Sequence, residues 1–177
     1  MKTILTSVIL LLLSLSSCAD NDENSFIQYK MDGNGGGCGS FIVYKQTSNN
    51  LYAISLEANA DSLDLSEEYK TFDLSENKLN VRFYEFDNPV YSYFCDDVME
   101  NFETVKKEYQ IKTGSCDIMY YEKHSSIHDS INNKVTTDII PTIFIKFIKL
   151  EFENDKNEIV KIEDFNMDSI YIGWLPG

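Results

Sequence analysis

The stretch VTTDIIPTIFIKFIKLEFE, residues 135–153, decides the fold of this chain. It is rich in isoleucine, phenylalanine and threonine, which are enriched in β-strands. Polar and apolar residues alternate along it, as in a strand with one buried face. The parity of the polar positions changes, however, because Lys146 is at an even position and Lys149 at an odd one. A strand that changes faces in this way usually contains a β-bulge, which we place near Phe147-Ile148.

Shorter alternating segments, separated by turn-forming residues, lie on the N-terminal and C-terminal sides of this stretch. Residues 40–45 and 51–56 are β-rich, and residues 46–50 between them are typical of a hairpin turn. Residues 79–83 alternate in the same way, and so do residues 160–163 after another turn. Short strands that recur about every ten residues predict an all-β fold, mainly an antiparallel sandwich or a barrel-like sheet.

One segment, residues 97–107, departs from this two-residue alternation. Asp97 and Glu100 form a capping-box pattern at its start, and two lysines suit the negative end of a helix. The apolar residues recur at the spacing of one helical face: Val98, Met99, Phe102 and Val105. The sequence therefore predicts one short helix near residues 97–107.

The composition indicates a folded domain that does not bind nucleic acid. The chain has 177 residues, of which 43% are hydrophobic and 25% are charged, and this balance is typical of globular proteins. We expect residues 38–177 to form a single β-sandwich domain. The formal net charge is −14, which argues against nucleic-acid partners because phosphates require a basic surface. Two interpretations stay open: solubility through self-repulsion, or attraction for cationic partners or divalent cations.

The N-terminal residues have the layout of a secretory signal. One positive charge, Lys2, precedes an apolar run over residues 4–15, and small residues then precede the cysteine of Leu-Ser-Ser-Cys, residues 15–18. The run is shorter than the roughly 20 apolar residues that a membrane-spanning helix needs. A charged start followed by a short apolar core is typical of a signal peptide. The Leu-Ser-Ser-Cys segment resembles the lipobox of bacterial lipoproteins.

This resemblance implies a lipid-anchored protein outside the cytoplasm. It implies that residues 1–17 are a signal peptide that is removed, and that Cys18 carries acyl chains such as palmitate, each buried methylene of which adds about 0.8 kcal/mol to membrane binding. The expected location is the bacterial outer membrane or cell surface, with the membrane itself as a partner. The alternative is an ordinary signal peptide in which Cys18 is an incidental thiol. The body of the chain resembles uncharacterised small lipoproteins and carries no motif of a named family.

Residues 18–37 are predicted to form a lipidated, flexible tether. The segment begins with the acidic and polar residues 20–24, and five of the eight glycines of the chain follow by residue 39. Segments of this composition behave as flexible coils. A phosphate-binding glycine loop is disfavoured, because neither a helical pattern nor a Gly-Lys-Ser/Thr ending follows the glycines.

The cysteines predict one disulfide. If Cys18 is lipidated, three cysteines remain, and an oxidising compartment allows one pair and one free thiol. Loop closure gives roughly 3–4.5 kcal/mol for each of the three pairings and does not discriminate among them. Cys116 alternates with Ile118 as a core-facing residue does, whereas Cys38 and Cys95 lie at strand edges. We therefore predict a Cys38–Cys95 disulfide and a buried thiol at Cys116.

The sequence favours a protein without catalytic activity. Both histidines, His124 and His128, fall in a predicted polar loop over residues 122–134, and no glutamate follows the first histidine as in a zinc protease. A Gly-x-Ser-x-Gly nucleophile elbow is also missing from the sequence. The acidic turn at residues 154–158 offers oxygen ligands for calcium but lacks the spacing of a calcium-binding helix-loop-helix. We expect no enzyme activity, no bound metal and no cofactor.

Aromatic residues are the remaining candidates for ligand contact, since the chain has 11 tyrosines and 11 phenylalanines. Aromatic side chains that are exposed on a β face stack on sugar rings or anchor protein contacts. We assign this role to Tyr84, Tyr91, Tyr93 and Tyr121; the alternative is that they are strand formers half-buried in the sheet. The resulting hypothesis is a lipid-anchored, non-enzymatic binding or accessory module for a protein or a polysaccharide. The alternative is an acidic inhibitor or immunity-type lipoprotein that acts on a cationic partner.

Mass spectrometry of the membrane-extracted, unreduced protein tests both cysteine assignments. We expect a mature N-terminus at Cys18 whose mass includes acyl chains, and a linked peptide pair containing Cys38 and Cys95. A chain that retains residues 1–17 and an unmodified Cys18 would contradict the lipoprotein interpretation.

Overall fold

Two long antiparallel strands organise the fold. The computed structural model describes residues 28–76, 78–91, 93–95, 105–129 and 134–173. Within these ranges the chain has a single-turn helix α1 (Ala60–Leu63) and a 3₁₀ turn (Leu74–Glu76). The strands of the described ranges are β1 (Gln28–Tyr29), β2 (Gly35–Cys38), β3 (Ile42–Gln46), β4 (Tyr52–Glu57), β5 (Lys70–Asp73), β6 (Asn80–Phe86), β7 (Val105–Asp129), β8 (Lys134–Glu153), β9 (Ile159–Ile162) and β10 (Phe165–Tyr171).

The sheet is built outward from β7 and β8. These two strands pair from Gln110 and Glu153 at one end to Asp129 and Lys134 at the other. On its other side β7 pairs with β6 and β5, while β8 pairs with β9 and β10. Strands β4, β3 and β2 extend the sheet beyond β6, and β1 joins β9 in the only parallel pairing among the described strands. The result is a curled, mainly antiparallel half-barrel, which confirms the all-β prediction.

Strand β8 contains a bulge, which lies two residues after the predicted position. Thr113 pairs with Glu151 and Ser115 with Ile148, so β8 has one more residue than β7 between these two pairs. Within this interval Lys149 has a left-handed backbone, with φ of 52°. A local extra residue of this kind is what a β-bulge inserts into one strand of a pair.

The bulge moves the buried face of β8 by one residue. Ile143, Ile145 and Phe147 are buried before the bulge, and Leu150 and Phe152 are buried after it. It also divides the outer edge of β8 between two partners, because β10 pairs with the strand before the bulge and β9 pairs with it afterwards. The parity change in the sequence therefore marks the place where the sheet bends.

One apolar core fills the inner face of the curled sheet. Leu63 of α1 and Leu74 of the 3₁₀ turn add to it from outside the strands. Burial of a side chain of this size contributes roughly 1.5–3 kcal/mol relative to an exposed one. The largest fully buried side chains of the core include Phe41, Phe83, Phe147, Phe152, Ile54 and Leu56.

The glycine-rich segment lies in the sheet, and the predicted tether is wrong over residues 28–37. Strand β2 pairs with β3 on one side and lies against β10 on the other. A Cβ atom at Gly37 would lie 2.7 Å from both the Ile170 Cγ2 atom and the Tyr171 carbonyl oxygen. Glycine is needed here because two backbones approach closely, not because the segment is flexible. The domain thus includes residues from Gln28 onward; residues 18–27 of the predicted tether lie outside the described residues.

The predicted polar loop over residues 122–134 is wrong over most of its length. Residues 122–129 continue β7, and they pair in unbroken register with residues 134–141 of β8. Side chains such as Glu122, Lys123 and His124 are exposed because the two strands extend here beyond the core. Exposure on both faces removes the apolar alternation by which a strand is recognised in sequence.

The predicted helix near residues 97–107 is wrong over residues 105–107. Residues 105–107 begin β7, while residues 97–104 lie outside the described residues. The helix that is present, α1, was not expected. Its first turn is capped by Asn59, whose side-chain oxygen accepts a hydrogen bond of 3.1 Å from the Asp61 backbone N–H.

Substitution of Gly37 by alanine tests the close packing of β2 against β10. We expect Gly37→Ala to lower the free energy of unfolding by about 1–3 kcal/mol, because the added methyl group meets backbone atoms that cannot move away. Gly36→Ala is the matched control, since the atoms nearest to its Cβ belong to the Tyr44 side chain, the first at 3.0 Å, and not to the backbone. Urea denaturation of both variants measures the difference. Equal stability of the two variants would contradict this account of the glycines.

Candidate binding surface

Two of the four predicted ligand-contact tyrosines pack in a second apolar cluster on the outer face of the sheet. Tyr84 is only 6% exposed, and its ring centroid lies 5.7 Å from those of both Tyr93 and Phe94. Burial raises the pKa of the Tyr84 phenol. Tyr93 is half-buried against the same cluster, which also contains Phe86. These tyrosines therefore stabilise the fold and do not form an open surface.

The disulfide holds the segment that covers this outer cluster. Cys38 and Cys95 are joined by an S–S bond of 2.01 Å, which is the predicted pairing. In the same segment the Gln46 side-chain amide donates a hydrogen bond of 2.7 Å to the Val90 carbonyl oxygen. The Phe94 ring is stacked on Tyr44, which is part of β3, with a centroid distance of 5.0 Å. Val90 and residues 93–95 are thereby held across the strands as an outer layer.

The third tyrosine, Tyr121, belongs to a partly exposed aromatic surface on the face of the sheet opposite the core. Tyr121 of β7 and Tyr171 of β10 both lie opposite Thr142 of β8, so the three side chains point from the same face. The Tyr121 ring stacks on Phe144, with centroids 5.3 Å apart and an angle of 22° between the ring planes. We call Tyr121, Phe144 and Tyr171 the aromatic platform. Two strand spacings make the platform about 10 Å wide.

A register shift in β10 places Tyr171 on this face. Met167 pairs with Ile145, but Ile170 pairs with Ile143, so β10 has one extra residue between these pairs. Without the register shift Tyr171 would lie opposite Pro141, whose side chain projects from the other face. The left-handed Ser169, with φ of 55°, is within the shifted interval. The irregularity turns Ile170 toward the core and leaves Tyr171 44% exposed.

Lys123 adds a cation to the edge of the aromatic platform. Its ammonium group donates a hydrogen bond of 2.9 Å to the Tyr171 hydroxyl oxygen and lies 5.3 Å from the centroid of that ring. The hydrogen bond with Tyr171 raises the pKa of Lys123. Between the two tyrosines, Thr142 is fully buried and donates a hydrogen bond of 3.0 Å to the Ile140 carbonyl oxygen. The platform is therefore an ordered surface with a polar rim.

A groove adjoins the platform where β2, β8 and β10 meet. Its volume is about 890 Å³, and it is lined by residues 35–37, 138–141 and 168–173. Most of its wall is apolar, including Ile139, whose side chain is 55% exposed. Asp138 and Asp168 place two carboxylates in the lining.

Tyr91, the fourth predicted tyrosine, is 75% exposed but belongs to the loop after β6 and not to the platform. Sequence reasoning missed Tyr171 and Phe144. The signal for Tyr171 is its parity, which is opposite to that of the apolar residues Ile170 and Ile172 on either side.

Two residues of the turn considered for calcium, Asn154 and Glu158, already make contacts within the protein. The Glu158 carboxylate accepts hydrogen bonds from the Lys107 ammonium at 2.8 Å and from the Asn154 amide at 2.6 Å. The Asn154 side-chain oxygen accepts from the backbone N–H groups of Lys156 and Glu158. Within the described ranges, three or more His, Cys, Asp or Glu side chains do not come together as a set that could hold a metal ion.

Neither the histidines nor the free cysteine forms a catalytic arrangement in the described chain. His124 is exposed on β7, opposite Ile139, and His128 lies opposite Val135 near the end of the same hairpin. Cys116 is fully buried, and burial, together with the neighbouring carboxylate of Asp117, raises the pKa of its thiol to about 12.

Comparison with known proteins gives no relative: no family model, no curated protein and no solved structure matches this chain. In the described part of the chain, no helix has both the length and the apolar character that crossing a membrane requires.

The environment of Cys116 predicts its reactivity. A thiol with a pKa of about 12 stays protonated at pH 8, and this one is also inaccessible. We expect the folded, unreduced protein to leave Cys116 unmodified by iodoacetamide at pH 8, and the urea-unfolded protein to be alkylated at that residue. Peptide mass mapping gives the site of modification. Rapid alkylation of Cys116 in the folded protein would contradict this burial.

Proposed function

We propose that this chain is a lipid-anchored, non-enzymatic binding module of the bacterial outer membrane or cell surface, and that its aromatic platform holds a polysaccharide. The observation that carries the proposal is the row of Tyr121, Thr142 and Tyr171 across three adjacent strands, with Phe144 stacked beside Tyr121. The lipobox-like segment ending at Cys18 supports the anchor and the location.

A sugar chain suits this surface better than a folded protein partner does. The partly exposed rings of Tyr121, Phe144 and Tyr171 offer apolar surface on which the faces of sugar rings can stack. The Tyr171 hydroxyl and the Lys123 ammonium, which are joined at 2.9 Å, provide hydrogen-bonding groups at the rim for sugar hydroxyls. Because the strands fix the rings in place, little side-chain freedom is lost on binding.

The alternative is an acidic inhibitor or immunity-type lipoprotein, and it rests on the net charge of −14. Part of that charge is compensated locally. In the shallow recess between β7 and β8, Glu108 pairs with Arg82 at 2.8 Å and Glu153 pairs with Lys112 at 3.0 Å. Partner binding that weakens steeply with salt would favour this alternative.

Affinity electrophoresis through gels that contain a neutral glucan, a mannan, a xylan or a uronate-bearing polymer tests the proposed function. We expect at least one polymer to retard the protein. Tyr121→Ala and Tyr171→Ala should each weaken that binding roughly 3- to 10-fold, the equivalent of one lost aromatic contact.

Tyr91→Ala is the matched control, because Tyr91 is the more exposed residue but lies outside the platform. We expect it to bind as the unmodified protein does. Binding that survives both platform substitutions, or that Tyr91→Ala reduces equally, would contradict the proposal. If no polymer retards the protein but Tyr171→Ala abolishes cross-linking to a surface protein on intact cells, the platform serves a protein partner instead.

A further inference from the structure

The edge of strand β8 before Pro141, on the side away from β7, is unpaired within the described chain. The Ile172 backbone N–H donates to the Pro141 carbonyl oxygen at 3.0 Å, and this is where the pairing with β10 ends. The next residue, Gly173, has φ of +77° and donates to the Gly39 carbonyl oxygen at 2.7 Å. The chain thus turns away from β8, and no strand of the described chain pairs with residues 134–140 on that side.

The orientation of the backbone along this edge follows from the register. Pairing of β7 with β8 is unbroken from Thr142 to Lys134, so the hydrogen-bonding direction alternates regularly. The Pro141 carbonyl group points toward β10 and away from β7. The residues that share this orientation direct their backbone N–H and C=O groups to the same edge: Val135, Thr137 and Ile139.

An edge of this kind is a template for another strand. Proteins commonly protect edge strands, because a row of backbone donors and acceptors pairs readily with an extended chain. Beside this edge, Val135 and Ile139 are 61% and 55% exposed, and both project from the face that continues the core. A two-stranded hairpin that carries exposed apolar side chains is only marginally stable by itself.

The groove of about 890 Å³ lies at the base of the same edge. Residues 138–141 form one wall, and the glycines of β2 line the opposite side. An apolar side chain of an added strand, opposite Ile139, would enter the groove.

Charge indicates the kind of strand that fits. Asp138 and Asp168 are both in the groove lining, and Asp138 projects from the opposite face of β8 to Ile139 because side chains alternate along a strand. A partner strand placed there meets an apolar surface on one face and a carboxylate on the other. The net charge of −14 favours approach of a cationic partner.

We propose that the edge of β8 over residues 135–140 binds an extended, basic segment of a partner protein by strand addition. Main-chain hydrogen bonds to Val135, Thr137 and Ile139 provide affinity, alternate apolar side chains enter the groove, and lysine or arginine side chains pair with the two aspartates. Tyr171 belongs to the platform and also lines the groove, but the strand-addition site depends on the backbone edge of β8 and does not rest on sugar binding.

A fluorescein-labelled peptide of seven alternating lysine and valine residues is the probe, and fluorescence anisotropy measures its binding. A strand of this length spans about 23 Å and covers the whole edge. We expect binding that weakens with salt and that falls several-fold in Asp138→Asn with Asp168→Asn. A peptide with glutamate in place of lysine should not bind. Equal binding of the two peptides would overturn the charge argument, and no binding of the lysine peptide would overturn the proposal.

Thr137→Pro tests the edge itself. Proline removes the one backbone N–H that points outward at this position, whereas the hydrogen bonds between β7 and β8 are made by its neighbours. We expect at least a tenfold loss of peptide binding, while the matched control Thr137→Val binds normally. Circular dichroism and the thermal unfolding midpoint establish that both variants fold. Unchanged binding by folded Thr137→Pro would overturn the proposal.

N-methylated peptides test the edge without altering the protein. Methyl groups on one alternate set of peptide amides should abolish binding, and methyl groups on the other set should be tolerated, because only one set faces β8. Equal effects of the two sets would overturn the proposal. So would a concentration-dependent dimer that Thr137→Pro dissociates, since the edge would then pair with a second copy of the chain.

Discussion

The bulge at Lys149–Leu150 is the constraint on which the rest of the structure depends. It lets a single strand, β8, have its buried face at odd positions before the bulge and at even positions after it. One strand thereby serves two parts of a curled sheet, with β10 at its edge in one part and β9 in the other. A strand without the bulge would expose either Phe147 or Phe152, and both are fully buried here.

Features with a local cause could be predicted from the sequence. The parity change between Lys146 and Lys149 located the bulge to within two residues, because side-chain alternation is a property of the strand alone. The Cys38–Cys95 pairing followed from the same alternation, which assigned Cys116 to the core. Most of the short strands were recognisable for this reason.

Features that depend on residues far away in the sequence could not be predicted from it. Nothing near Gly37 in sequence indicates that β10 will lie against it, so a glycine-rich strand resembles a linker. The hairpin around His124 has no buried face and therefore no alternation, and its strand structure comes from continuing the pairing of the core. The candidate site shows the same limit for Tyr84, which is covered by a segment held by the disulfide. The parity of Tyr171, by contrast, is opposite to that of Ile170 and Ile172 and does indicate its exposure.

The bulge also separates the two ends of the molecule. Strand β1, which follows the proposed lipid attachment at Cys18, joins β9 and through it the part of β8 after the bulge. The aromatic platform and the edge at residues 135–140 belong to the part before it. From Leu150 to Ile139 an extended strand covers about 36 Å, so both candidate surfaces lie far along the sheet from β1. If Cys18 carries the proposed lipid, the attachment precedes the strand at the opposite end of the sheet from these two surfaces.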